Sequence, residues 1–449
     1  MRATDMTRGK PARLIMAFAL PMMLGNVCQQ LYTIVDGAFV GRFAGIDALA
    51  AVGAADWLTW IFMGVVTGYT QGFSILISQR FGAHDEAGLR RVVALSVALT
   101  GAIAVLLIAV SQGLIVPILN LLHTPEDIFS QAVLYLRILM CGLPIFSAYN
   151  VQAAILRAVG DSKTPLIAML IASFTNIVLD GVFVILLRWG VAGAAAATLI
   201  AQGASAVYCF MAIRGLPMIR IEKGDLQWEK KTVSRLIRLG TPTAAQNVII
   251  GLGGMAVQRV INGFGSVFIA GFTATNKLYG LMEMAAVSYG GAMAAYTGQN
   301  YGAKSSDRIK SGVRAGAAMA VATSLTIAAA LFLFGRSVLS LFVDPQEAMV
   351  EDVLNVAVRY LHFMLAALFI LYLLYVYRSA LQGMGDTLTP MLSGVAELTM
   401  RVGTALILPR LLGQDGIYFA EPAAWLGAEV LLMVTYYAKI RKLTFKEEQ

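Results

Sequence analysis

Three stripes of polar residues run through otherwise apolar stretches of this chain. Asn26, Gln29, Thr33 and Asp36 recur at intervals of three or four, so a helix places them on one face. Ser173, Asn176 and Asp180 form a second stripe, and Thr198, Gln202 and Ser205 form a third. In an apolar bundle such stripes satisfy one another only by facing inward together. A charged side chain at the centre of a membrane helix costs roughly 2.5 kcal/mol or more on insertion scales, so Asp36 and Asp180 each need a reason. Ion binding is one: neighbouring carboxyl groups hold a shared proton well, because neither ionises easily beside the other. The same oxygens, with Asn and Thr oxygens added, suit Na⁺ as a hard cation. The plainer alternative is that Asp36, near the end of its helix, only bonds the backbone.

The second half carries a different set of charges. Asp36 falls opposite a position near Val257 or Gln258, and Asp180 opposite one near Ala405. In their place stand Glu283, the i, i+4 pair Glu397 and Arg401, and Glu421, with Arg259, Lys277 and Arg378 as available partners. Glu397, Arg401 and Glu421 read as a structural ion network that locks the helices. Glu283 has only Lys277 at i−6 on its own helix, a poor spacing for pairing. With Gln29, Thr33 and Tyr375 it is a candidate for a cationic-substrate site or a second coupling site. Tyr372, Phe369 and the 21 methionines supply adaptable apolar surface for flat cations, though most face lipid or neighbouring helices. His362 reads as a packed polar residue. Cys28, Cys141 and Cys209 lack a CxxC spacing and read as small packing residues. The glycine runs at 251–254 and 263–265 lack the lysine of a phosphate loop. No nucleophile, metal or nucleotide motif appears, so no enzyme activity, cofactor or bound metal is expected, beyond H⁺ or Na⁺ as a coupling ion.

What must position these groups is a membrane-spanning helical bundle. Hydrophobic residues make up 58% of the chain and charged ones 13%, half the usual share of a soluble domain. Runs such as 57–77, 92–116 and 315–334 are long enough to cross about 30 Å of hydrocarbon as helices. About twelve such segments are expected, six per half. The net charge of +8 does not point to nucleic acid, because its distribution is one-sided. About 24 Lys and Arg fall in segments on one side, among them Arg2, Arg8, Lys10, Arg80, Arg90, Arg91, Arg220 and Lys223, with about 4 on the other. The opposite segments, around Glu126 and Asp127 and around Asp344 and Glu347, are acidic. The positive-inside bias puts both termini in the cytoplasm of a multi-pass protein of the cell inner membrane. No small-residue cleavage site follows the first apolar run, so it is read as a span and not a leader.

The chain also repeats itself. Residues 156–165 (LRAVGDSKTP) return as 381–390 (LQGMGDTLTP), and 78–83 (SQRFGA) as 298–303 (GQNYGA). Each half opens with Arg-Leu-Ile and then a proline within its first helix, Pro21 and Pro242. The expected organisation is an amino-terminal six-helix lobe over 1–213, a basic cytoplasmic connector over 214–235 and a carboxy-terminal lobe over 236–449. An even number of spans separates the copies, so the repeat is parallel and substrate is expected between the lobes. Gly-Asp-x-x-Thr-Pro reads as a tight turn with Pro in the next helix's first turn, where its missing N–H costs nothing.

Together these residues resemble the multidrug and toxic compound extrusion (MATE) transporters over almost the whole chain. Asn176, Asp180 and Thr198 match in type and spacing the amino-terminal polar cluster of the DinF-type branch, with Asp36 as the first-helix acid. The resemblance implies antiport, in which H⁺ or Na⁺ enters as an organic cation leaves. Asp36 and Asp180 would bind the coupling ion, with Asn176 and Thr198 in support, and protonation would bend the first helix at Pro21. Sodium-coupled relatives carry further acids in the seventh helix; this chain has Arg259 there and Glu283 in the eighth. Small organic cations and the lipid bilayer are the expected partners, and a monomer is expected. A flippase for lipid-linked oligosaccharides, from the same superfamily, is the alternative; its cleft should hold more cations for a pyrophosphate than this half offers.

Overall fold

The computed structural model describes residues 3–221, 224–342 and 349–443; Arg2, Lys223, Asp344 and Glu347 lie outside them. Among the described residues there are thirteen α-helices and no strand. The first half holds α1 (Pro11–Phe39), α2 (Ile46–Gly82), α3 (Glu86–Leu121), α4 (Glu126–Cys141), α5 (Leu143–Ala158), α6 (Lys163–Asp180) and α7 (Gly190–Arg214). The second holds α8 (Lys230–Ile261), α9 (Ser266–Gly302), α10 (Ser306–Leu339), α11 (Val350–Gly383), α12 (Leu388–Leu412) and α13 (Ala420–Lys442).

Helices α4 and α5 are the arms of one span bent by 47°. The bend has two causes: Pro144 removes a backbone donor, and Gly142 leaves room where a Cβ would meet Leu199 at 1.9 Å. With that pair as one, the chain is an all-α membrane protein of twelve spans, six in each half. By length and apolar composition alone eight stretches qualify, or nine with the bent pair, and one of them, Leu388–Lys442, contains both α12 and α13. The shortfall falls on α8 and α9, which have 32 and 37 residues but carry many Gly, Ala, Thr and Asn in place of large apolar side chains. Large apolar side chains elsewhere point outward: Leu186 and Leu333 are each 74% exposed. That surface suits lipid and would be an aggregation hazard in water.

The helices group into two compact units. One comprises Met1–Asp5 and Leu20–Asn247, the other Met6–Ala19 and Val248–Gln449. One boundary therefore falls inside α1 beside Pro21, and the other inside α8 shortly beyond Pro242. In the first unit α2 and α8 meet backbone to backbone. A Cβ on Gly68 would lie 2.4 Å from Ala244 Cα, and one on Gly72 would lie 2.5 Å from Gly240 Cα. In lipid such contact replaces the hydrophobic drive, since tails are as apolar as side chains. In the second unit α9 packs along α11, where the Thr275 hydroxyl donates to the Ala357 carbonyl at 2.9 Å and Phe272 stacks on Tyr360 at 4.3 Å.

The repeated sequences fold into repeated turns. Gly160 and Gly385 take φ of +85° and +88°, a region that favours glycine. The aspartate that follows each then caps the next helix. Asp161 accepts from the Thr164 N–H at 2.9 Å and its hydroxyl at 2.6 Å; Asp386 accepts from the Thr389 N–H at 3.1 Å and its hydroxyl at 2.7 Å. Pro165 and Pro390 lie in the first turns of α6 and α12, as expected. The other pair matches too: Ala83 N–H donates to Gln79 O at 3.0 Å, and Ala303 N–H to Gln299 O at 2.9 Å.

Asp386 also accepts from Lys439 at 2.5 Å. Burial pushes its carboxyl up, but the bonds from Lys439 and Thr389 outweigh burial and hold it below the ordinary carboxylate range. A carboxyl lowered by folding adds stability above its unfolded range and loses it as pH falls. Asp386→Asn should therefore cost about 1 kcal/mol at neutral pH. Its melting-temperature deficit against the wild type should close in acid; a deficit independent of pH would contradict the ionised cap.

Candidate functional site

Two helices of the first unit change their winding at the expected acids. After Phe39, α1 continues as a π-helical turn over Val40–Ala44, and α6 passes after Asp180 into another over Gly181–Leu186. π-Helical turns are rare and concentrate at functional sites. The two turns pack against each other, which brings α1 and α6 together where Asp36 and Asp180 stand. The two carboxyl groups come within hydrogen-bonding reach of one another. Asp180 is fully buried and Asn176, one turn earlier, is 1% exposed. Neither oxygen of Asp180, nor Asp36 Oδ1, nor either amide atom of Asn176 has a hydrogen-bond partner among the described residues.

Helix α7, which packs along α6, brings Thr198 and Gln202. The Thr198 hydroxyl donates to the Ala194 carbonyl at 3.0 Å, so its oxygen is left to accept or to ligate. Gln202 Oε1 is buried and unpartnered among the described residues. Gln29 and Thr33 share the α1 stripe but are exposed, and Thr33 donates to the Gln29 carbonyl at 3.0 Å. Three neighbours escaped the sequence reading. Tyr32 stands one turn before Asp36 and interacts electrostatically with both acids. Tyr135 of α4, 7% exposed, and the exposed Asp56 of α2 also act electrostatically on Asp36. Tyr32 was findable by its i−4 spacing; the other two arrive only through tertiary packing.

Like unit charges about 4 Å apart repel by about 4 kcal/mol at an effective dielectric of 20, so two ionised carboxylates in mutual reach are costly. One proton between them turns that repulsion into a hydrogen bond. With no other donor to either Asp180 oxygen, the pair is chemically suited to take up and release a cation.

The second unit gathers its own charges into one chain of contacts. Glu283 of α9 accepts from the Tyr375 hydroxyl of α11 at 2.8 Å, and the Tyr375 ring lies under Arg378 at 5.8 Å. Arg378 donates to Glu397 of α12 and, at 3.3 Å, to Ser393. Arg401 lies 3.8 Å from Glu397 and donates to Glu421 of α13 at 2.8 Å. The expected Glu397–Arg401 pair is thus present, but Arg378 is the nearer partner. Glu283, read as isolated, joins this chain through Tyr375. Lys277 and Arg259 are exposed, away from it. His362 is exposed and packs on Phe332, with ring centroids 5.0 Å apart.

Known proteins of the same plan exist. The chain is 28% identical over 448 residues to a probable multidrug resistance protein, YoeA of Bacillus subtilis, covering 97% of this chain and 96% of that one. It is 26% identical to a probable multidrug resistance protein, NorM of Thermotoga maritima, covering 92% and 88%. Its fold superposes on a solved MOP superfamily transporter from Pyrococcus furiosus with a TM-score of 0.93, 24% identity and 99% of each chain covered. The MatE family model matches residues 21–182 and 242–406, most of both halves. On that match, the chain belongs to the MatE family of multidrug and toxic compound extrusion transporters.

Proposed function

We propose that this protein is a secondary active antiporter that exports organic cations and drugs in exchange for H⁺ by alternating access. The observation that carries the reading is the Asp36–Asp180 pair, two acids in mutual reach whose remaining oxygens lack donors. A proton is the smallest ligand that relieves both. Asn176 and Thr198 support the site, and Tyr32 acts on both acids electrostatically. The names of the B. subtilis and T. maritima relatives support drugs as substrates. The protein works in the inner membrane with both termini in the cytoplasm, and needs no cofactor beyond its coupling ion. Unpartnered acids in the first unit favour a cationic substrate over the pyrophosphate of a lipid-linked sugar.

In this mechanism drug and proton compete for one set of acids. A proton taken up from outside bridges Asp36 and Asp180 and halves the charge of the pair, which lets α1 draw toward α6 and narrows the space left for the drug. Pro21 leaves the carbonyl one turn earlier without its helical donor, which makes that point of α1 the cheapest place to bend.

Proteoliposomes loaded with a fluorescent organic cation, under a pH gradient or a Na⁺ gradient alone, test the coupling. The pH gradient should drive uphill efflux from the wild type, and Asp180→Asn should reduce it to the protein-free rate. Efflux driven by Na⁺ alone would replace the proton by a metal cation, and a fully active Asp180→Asn would remove the pair from coupling. For the hinge, Pro21→Ala should slow efflux while binding of the same cation to detergent-purified protein persists. Unchanged efflux would show that α1 need not bend there.

A further inference from the structure

One acid of the second unit stands outside the chain of contacts described above. Glu429 sits mid-way along α13 on the face that carries Trp425, Ala428, Leu432 and Tyr436, each no more than 3% exposed. Glu429 is itself 5% exposed, and neither of its carboxylate oxygens has a hydrogen-bond partner among the described residues. Its neighbours differ: Glu283, Glu397 and Glu421 each accept from a tyrosine or an arginine. An ionised carboxylate left so is among the costliest groups a membrane interior can hold.

Helix α11 packs against α13, and from it Arg378 and Tyr377 interact electrostatically with Glu429. The Tyr377 hydroxyl is engaged with that of Tyr437 at 3.2 Å, and its ring packs on Tyr436 at 5.2 Å. From α12, Glu397 pairs with Arg378, and Arg401 lies 3.8 Å from Glu397. One turn before Glu429, Trp425 stacks on Tyr279 of α9 at 5.7 Å and closes that side; Glu421, two turns before, is bound to Arg401.

Arg378 is half used. Its Nη2 serves Glu397 and Ser393, while its Nε is buried without a partner among the described residues. One cation thus has a spare donor, and the carboxylate it faces has two spare acceptors. Charge counting points the same way: Arg378 and Arg401 can balance only two of Glu283, Glu397 and Glu421, so an ionised Glu429 would add to an existing excess of acid.

We propose that Glu429 is a proton-binding site of the second unit, separate from the Asp36–Asp180 pair, and that its occupancy decides whether Arg378 serves Glu397 alone or both carboxylates. The proton comes from water and bonds one Glu429 oxygen. When it leaves, the ionised carboxylate draws in the spare Nε of Arg378. Because the three residues lie on α11, α12 and α13, each occupancy ties these helices together differently. The site stands whether or not the first-unit acids couple transport.

Infrared difference spectra of the purified full chain, taken between acid and alkaline buffers, read protonated carboxyl groups directly. The wild type should lose a carboxylic-acid carbonyl band on alkalinisation. One component of it should be missing in Glu429→Gln, which has the same shape and no titration, and should persist in the Asp36→Asn/Asp180→Asn double variant. Glu429→Asp should shift that component, which keeps the test decisive if Glu429→Gln does not fold. A Glu429→Gln spectrum superimposable on the wild type, an unshifted band in Glu429→Asp, or a band that responds to Na⁺ and not to pH would overturn the assignment.

Discussion

A carboxylate inside a membrane bundle must find a proton, a cation or a donor, and Asp180 finds no donor. It is fully buried, and what it meets is a second carboxyl, that of Asp36. The surrounding architecture follows from holding these two groups together. The π-helical turns after Phe39 and Asp180 set the ends of α1 and α6 against each other. Helix α7 lays Thr198 and Gln202 along the second acid's helix, and α4 and α2 bring Tyr135 and Asp56 toward the first. Fully buried side chains such as Leu136, Leu143 and Ala195 keep the local dielectric low, so a single proton changes the energy of the pair substantially.

The two halves share a frame and differ in chemistry. Turns at Gly160 and Gly385, and those after Gln79 and Gln299, have the same geometry because the same residue types impose it. Inside the helices the likeness stops. The first unit holds acids that face each other without cations, a state that a small ligand must resolve. The second holds Arg378 and Arg401, which pair with Glu397 and Glu421 and leave Glu429 without a donor among the described residues. Such internal pairing suits a unit that must keep its packing while ions come and go, at the desolvation cost that every buried ion pair carries.

Much of this was legible in the sequence because it depended on local pattern. The apolar runs gave the spans, the Gly-Asp-x-x-Thr-Pro repeats gave the capped turns, and the three- and four-residue spacings gave the polar stripes along α1, α6 and α7. Two features were not readable. Arg378 displaces Arg401 as the nearer partner of Glu397 because helical spacing says nothing about a neighbouring helix. Asp56, Tyr135 and Glu429 lie alone in apolar stretches, and only the packing of α2, α4 and α13 reveals what they face.

The central claim is that drug and proton occupy the first-unit acids in turn. Adding a fluorescent organic cation to detergent-purified protein in weak buffer, with a pH indicator present, tests it without any gradient. The account predicts that binding releases protons into solution, and that Asp36→Asn/Asp180→Asn releases none. Binding that releases no protons from the wild type, or equal release from the double variant, would contradict it.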